Sequence, residues 1–314
     1  MRPSRPFRPI AVAAVLALTL AACNGDDGDG EAGALDSLTL AGAPECEERT
    51  TCYQGIVEIY GVDGLEFESI QESSARLAAL DAGDVDIIAL FSTDAVLGQG
   101  GLTVLDDPEE IVPPENVVPV LNDEVIDAYG DDVVDLIGQV SDELTTDTLI
   151  HLNTEAGEGT APAQIATEWL EEIGFDSDIS ADGGDLEIAV ASFNFPESVI
   201  LAEIYAAVLE DAGYPVDRQL DLGARELIFP ELQDGSLHLL PEYVGSSLTA
   251  GFGQDAPEDL DSGIESLRDA FAEQGVTVLD PTPAENANVY VVTDEFAEQH
   301  GISSLEDLAD LLDE

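Results

Sequence analysis

Lysine is absent from this chain of 314 residues, and its eight basic residues are all arginines, set against 68 Asp and Glu for a formal net charge of −60. A chain so charged repels polyanions, which excludes nucleic acid and an anionic membrane face as partners. Histidine is scarce: His151, His238 and His300 are the three, none is near a cysteine, and the spacing of a metal site is missing. No serine or cysteine nucleophile motif and no carboxylate pair stands out from the acidic background, so an enzyme is not expected. The N-terminal apolar run, residues 10–22, is too short to cross a bilayer as a mature helix. What the chain does have is 45% apolar residues, enough at this length for two cores, and disorder throughout is excluded.

Arg2, Arg5 and Arg8 precede the apolar run, giving the positive and apolar regions of an export signal over residues 1–22. The run ends Leu20-Ala21-Ala22-Cys23. That ending resembles the lipobox of bacterial lipoproteins, and the resemblance implies a diacylglycerol on the Cys23 thiol. The Gly/Asp-rich stretch that follows, up to residue 36, reads as the flexible tether of such an anchor. The expected location is extracytoplasmic, on the outer face of the cytoplasmic membrane, reached through the lipid. In that oxidising compartment Cys46 and Cys52 are expected to form a disulfide, because two thiolates alone make a poor zinc site. Loss of the signal takes the net charge from −60 to −63. A lysine-free acidic surface of this size suits a halophilic setting, since charge is screened over about 3 Å at 1 M salt but about 10 Å at 0.1 M. The alternative is a lineage that is merely acidic.

From residue 38 short apolar strands alternate with amphipathic helices, the pattern of an α/β sheet with crossover connections. Strands are predicted over 38–40, 66–70, 85–90 and 117–120, and helices over 53–60 and 74–82. A helical block follows over 123–140, 145–153 and 161–173, then a linker rich in Asp, Gly and Ser over 176–185. A second α/β run begins with a strand at 186–191 and a helix that Pro196 opens and Gly213 ends. Further units are 225–233, which contains Pro230, a strand at 237–240, a helix at 259–274, a strand at 289–293 and a last helix at 304–312.

Six stretches now carry a resemblance. They are Ser192-Phe193-Asn194-Phe195-Pro196-Glu197-Ser198, Pro241-Glu242-Tyr243-Val244-Gly245-Ser246, Asp280-Pro281-Thr282-Pro283-Ala284, Pro44-Glu45-Cys46-Glu47-Glu48-Arg49, Phe91-Ser92-Thr93-Asp94 and Asn116-Val117-Val118-Pro119-Val120. Together they resemble the substrate-binding proteins of osmoprotectant ABC importers, which take glycine betaine, choline or carnitine. The resemblance implies an α/β, two-lobed periplasmic-binding-protein fold of type II-like architecture, with a cleft between the lobes and no cofactor. It implies delivery of a small zwitterionic or quaternary-ammonium compatible solute to the importer's permease. The order of the stretches is circularly permuted: residues 185–314 resemble the family's N-terminal half and 37–175 its C-terminal half. Lobe A is then expected at 123–283, and lobe B is assembled from 37–122 and 284–314.

In the family a quaternary ammonium sits among aromatic rings, whose faces attract a cation without needing a hydrogen bond from it. Tyr243 matches one such position. Asn288 stands where another aromatic is expected, as do Gly100 and Glu115. Phe193, where the family often has Lys, and Tyr290, two residues from Asn288 on one strand face, are the candidate replacements. Asn194 lies in the same stretch as Phe193 and joins the ligand-binding set. Arg49 is the leading carboxylate clamp, because a guanidinium offers a bidentate fork. Arg225 is either a second anion contact or the partner of Glu226 or Asp221. Ser246 and Thr93 match hydroxyl positions. Phe193, Phe195 and Tyr290 also have core packing as their alternative, and each arginine has pairing with a nearby acid. Another class of function is a lipoprotein receptor or scaffold module that keeps the two lobes without transport. A ligand-shaped cleft and hinge strands at 117–120 and 289–293 would discriminate against it.

Overall fold

The computed structural model describes residues 37–313 apart from Asp182 and Ala224. Cys23, its proposed lipid and the export signal lie outside the described residues. Cys46 and Cys52 are joined by a disulfide at the start of the helix Tyr53–Ile59.

Ten strands are present among the described residues, in chain order β1 (Leu38–Gly42), β2 (Leu65–Ser69), β3 (Ile87–Phe91), β4 (Leu102–Leu105), β5 (Val117–Asn122), β6 (Ile188–Ala191), β7 (Val216–Gln219), β8 (Leu239–Tyr243), β9 (Val276–Val278) and β10 (Asn288–Thr293). They form two five-stranded sheets, ordered β2-β1-β3-β10-β4 and β7-β6-β8-β5-β9. The two orders are equivalent. In each sheet the first three strands are parallel, as buried apolar strands joined by helical crossovers should be, and one antiparallel strand is inserted beside them. That inserted strand is β10 in the first sheet and β5 in the second, each the strand by which the chain enters the lobe.

The strand at Leu38 therefore shares its sheet with the strand at Val289. The expected boundary after residue 122 is corrected: Val117–Asn122 pairs with β8 and β9, so lobe A takes this strand. The hinge is corrected with it. Residues 117–120 and 289–293 lie inside sheets, and the crossings fall just before them, where Asn116 bridges Glu285 antiparallel and Asn286 donates to the Glu115 carbonyl at 3.0 Å. At Gly245 a Cβ would come within 2.9 Å of the Pro114 carbonyl, so the close approach of the helical turn after β8 to this crossing requires glycine.

The predicted helix over 123–140 divides at Gly130 into Asp123–Tyr129 and Asp132–Ser141. The helix Pro196–Asp211 is buried nearly all round between its sheet and the helices Asp132–Ser141, Thr146–Gly157 and Pro162–Ile173. This explains why its apolar residues exceed a single stripe. Its direction is set by Pro196 in the first turn, and its N-terminus points into the space between the lobes. The strands β4, β7 and β9 and the helix Asp294–His300 were not legible in the sequence, because short edge strands with mixed polarity carry little periodicity.

Candidate functional site

A cavity of about 690 Å³ lies between the lobes. Glu72, Ser73, Phe91, Thr93 and Asp94 wall it on the lobe B side, and Phe195, Glu197, Arg225, Tyr243 and Ser246 on the lobe A side, with Asn153 and Asn286 between. Its size falls in the usual range for small-molecule sites, roughly 300–1,000 Å³.

Glu197 organises the cavity. Its carboxylate is buried in the first turn of Pro196–Asp211, where the helix dipole favours a negative charge. It accepts the Tyr243 hydroxyl at 2.7 Å and the side-chain amides of Asn286 and Asn153, each at 2.6 Å. Asn153 also donates to the Thr93 carbonyl at 2.9 Å, which ties lobe A to lobe B. Three donors satisfy this buried charge without a cation, so the cavity keeps an uncompensated negative wall at this point. The burial of the Tyr243 hydroxyl and the neighbouring Glu197 charge hold that phenol well above its ordinary pKa, and it stays a donor.

A pair of carboxylates, Glu242 and Glu115, sits behind Ser246. Glu242, fully buried, accepts two hydrogen bonds from the Arg225 guanidinium at 2.7 and 2.9 Å. Burial pulls the Arg225 pKa down, but the Glu242 charge outweighs it and holds the guanidinium above its usual value. Glu115 accepts from the Ser246 amide at 2.9 Å and from its hydroxyl at 2.8 Å. Burial raises the Glu115 pKa to about 7, against the pull of those two bonds and of Arg225.

The sequence-derived residues divide. Tyr243, Thr93, Ser246 and Arg225 line the cavity. Arg225 pairs with Glu242, not with Glu226 or Asp221, so it is no free anion contact. The Ser246 hydroxyl is committed to Glu115. Phe193 is only 2% exposed, stacked with Phe195 at 5.9 Å and covered by the Arg225 guanidinium at 4.7 Å from its ring centroid. It is a core residue, and Phe195 stands at the cavity in its place. Asn194 is exposed and does not line the cavity. Tyr290 is buried in the lobe B core with its hydroxyl on the Thr51 carbonyl at 3.1 Å, so it forms no wall. Arg49 and Asn288 line a neighbouring chamber of about 110 Å³ that shares Phe91 with the large cavity.

Glu197, Glu242, Asn153, Asn286 and Phe91 were missed as site residues. Two of them had a signal: Glu242 is an acid inside an otherwise apolar strand, and Glu197 stands at the start of an apolar helix. Phe91, 52% exposed at a strand end, could be found only in three dimensions.

Comparison with known proteins places the geometry in context. The family model OpuAC, described as the substrate binding domain of ABC-type glycine betaine transport system, matches residues 30–172 and 187–313. The glycine betaine-binding protein YehZ of Escherichia coli (strain K12) is 30% identical over 123 residues, 38% of this chain and 40% of that protein. A glycine-betaine-binding protein of Pseudomonas aeruginosa is 32% identical over 127 residues, 40% of this chain and 40% of that one. The chain thus spans about 40% of the length of the curated relatives it matches. The solved structure of apo YehZ superposes with a TM-score of 0.40 at 12% identity, covering 88% of this chain and 85% of that one.

Proposed function

Because the chain belongs to the family of substrate-binding domains of ABC-type glycine betaine transport systems, we propose that it is an extracytoplasmic receptor that closes its cleft on a betaine-type solute and presents it to an ABC permease. The observation that carries this reading is the inter-lobe cavity of about 690 Å³, in which Tyr243, Phe195 and the buried Glu197 carboxylate converge. A methylated ammonium donates no hydrogen bond. It is held by aromatic faces and by negative charge in a desolvated site, about 0.5–2 kcal/mol per ring. Both are present here, and two crossing segments, residues 114–116 and 284–287, join the lobes and are bridged at Asn116 and Glu285.

In this reading Cys23 carries a lipid that tethers the receptor to the membrane, and the chain works in high salt. The order of its halves is a circular permutation of the family's. Two observations support the permutation. The family match breaks at 173–186, over the linker. The two ends of the described chain also meet at one turn, where Leu38 N–H donates to the Gly64 carbonyl and Leu312 packs against Gly64. A cut at such a surface turn loses no buried hydrogen bond.

Titration calorimetry in molar salt with glycine betaine, choline and carnitine tests the function. Saturable binding of at least one of them is expected, weakened by Tyr243→Ala about 2- to 30-fold. A protein that binds none of the three is not a betaine-type receptor, and the scaffold class would then replace this reading.

A further inference from the structure

Two carboxylates and one guanidinium lie together behind the wall of the inter-lobe cavity, and their charges do not balance. Arg225 directs Nε and Nη2 to the two oxygens of Glu242, at 2.7 and 2.9 Å, and both bonds serve that acid alone. Glu115 is left with two neutral donors, the Ser246 amide at 2.9 Å and the Ser246 hydroxyl at 2.8 Å. Gly245 closes over it: a Cβ there would stand 3.1 Å from Glu115 Oε1. A carboxylate enclosed in this way, with no cation of its own, is costly to ionise.

Three charged groups face Glu115 among the described residues. Glu242 does so from β8 and Arg225 from the helix Arg225–Gln233. On the other crossing segment the Glu285 carboxylate accepts the Glu115 backbone N–H at 3.2 Å. Of the three only Arg225 is positive, and it is already paired. Burial prevails over the Ser246 bonds and the Arg225 charge and sets the Glu115 pKa at about 7, so its proton is poised near neutrality.

This acid is one residue removed from the solute. Ser246 and Arg225 both line the cavity, and Glu115 stands directly behind Ser246, on the segment that crosses between the lobes. A positive charge entering the cavity lowers the cost of ionising Glu115. By reciprocity the ionised form raises the affinity for a cation, and the protonated form lowers it.

We propose that a cationic group bound in the inter-lobe cavity displaces the proton of Glu115, so that solute binding is coupled to proton release and is tighter in neutral than in acidic medium. The proposal rests on the transport reading and adds regulation of the same cavity. Glu115 acts through Ser246 and through its charge, as a positioning residue without contact to the solute.

Calorimetry in molar salt with glycine betaine and with choline tests it, because neither solute gains or loses a proton between about pH 5 and 8. Titrations near pH 6.5 in two buffers of different ionisation enthalpy count the protons exchanged. Wild type is expected to release a fraction of a proton per solute bound, and its Kd to fall about 3- to 10-fold from pH 5 to pH 8, as a shift of half to one pKa unit requires. Glu115→Gln still accepts from Ser246 but has no proton to lose. It should release none, and its affinity should not change with pH. If Glu115→Gln does not fold, Ser246→Ala, which removes one of the two donors to the carboxylate, must move the pH midpoint of binding upward. Solute binding by wild type without proton release, or release that persists in Glu115→Gln, overturns the role of Glu115 and leaves the transport reading standing. A wild-type protein that binds neither solute at any pH overturns both.

Discussion

Glu115 shows how one residue links the hinge to the site. Its backbone carbonyl accepts the Asn286 amide across the two crossing strands, and its side chain accepts two bonds from Ser246. Its folded pKa, raised by burial to about 7 from 4.5, has a definite consequence for stability. Between those two values the folded state holds more protons at this site than the unfolded state, so stability falls as pH rises from 4.5 to 7 and then stays lowered. The full effect is at most about 3.5 kcal/mol, since one pKa unit corresponds to about 1.4 kcal/mol. Glu115→Gln should remove this decline. Urea unfolding of both proteins at pH 5 and pH 8 checks it. The variant's advantage is expected to appear only at the higher pH, and parallel curves would mean that Glu115 ionises freely in the folded protein.

The linker over 176–185 is the instructive element. From composition it reads as a spacer with no predicted core residue, in which mutation is nearly harmless. In the structure Ile179 and Ala181 pack against the lobe A core, Ala181 N–H donates to the Ala212 carbonyl at 2.8 Å, and the Tyr129 hydroxyl reaches past it to the Leu186 carbonyl at 2.5 Å. Gly184 has φ +82°, and a Cβ there would meet the Tyr129 ring at 2.3 Å. Gly184→Ala should therefore cost about 1–3 kcal/mol beyond what Gly183→Ala costs, because Gly183 has a similar φ of +83° but open space around it. Denaturant midpoints of the two variants separate the clash from the backbone strain. Equal midpoints would return the segment to the status of a passive tether.

At the scale of the whole molecule, charge dominates. Among the described residues carboxylates pair with only three arginines, so nearly all of the negative charge is uncompensated. Self-repulsion is greater in the folded state than in the expanded chain, and it fades as the screening length falls from about 10 Å at 0.1 M to about 3 Å at 1 M salt. The melting temperature should climb steeply over that range. A melting temperature that does not move between 0.1 and 1 M sodium chloride would show that the acidic surface is neutral for stability.

The sequence by itself determined the α/β alternation and most of the helices, because apolar periodicity is a local property of the chain; the Cys46–Cys52 pair followed from the expected oxidising compartment, and the two lobes from the family resemblance. It also pointed to the Tyr243 stretch. The tertiary structure alone decided which candidates face the cleft. Tyr290 and Phe193 have the chemistry of ligand walls, but strand register and the covering Arg225 turn them into core. Arg49 and Arg225 are the same residue type, and the sequence ranks Arg49 first as an anion contact with Arg225 second. Glu242, 17 residues from Arg225 in sequence, consumes one fork, while the other opens on a chamber beside Arg76. The number of positive charges could be counted along the chain, but their use depends on which acids lie within about 3 Å, and only folding brings those acids there.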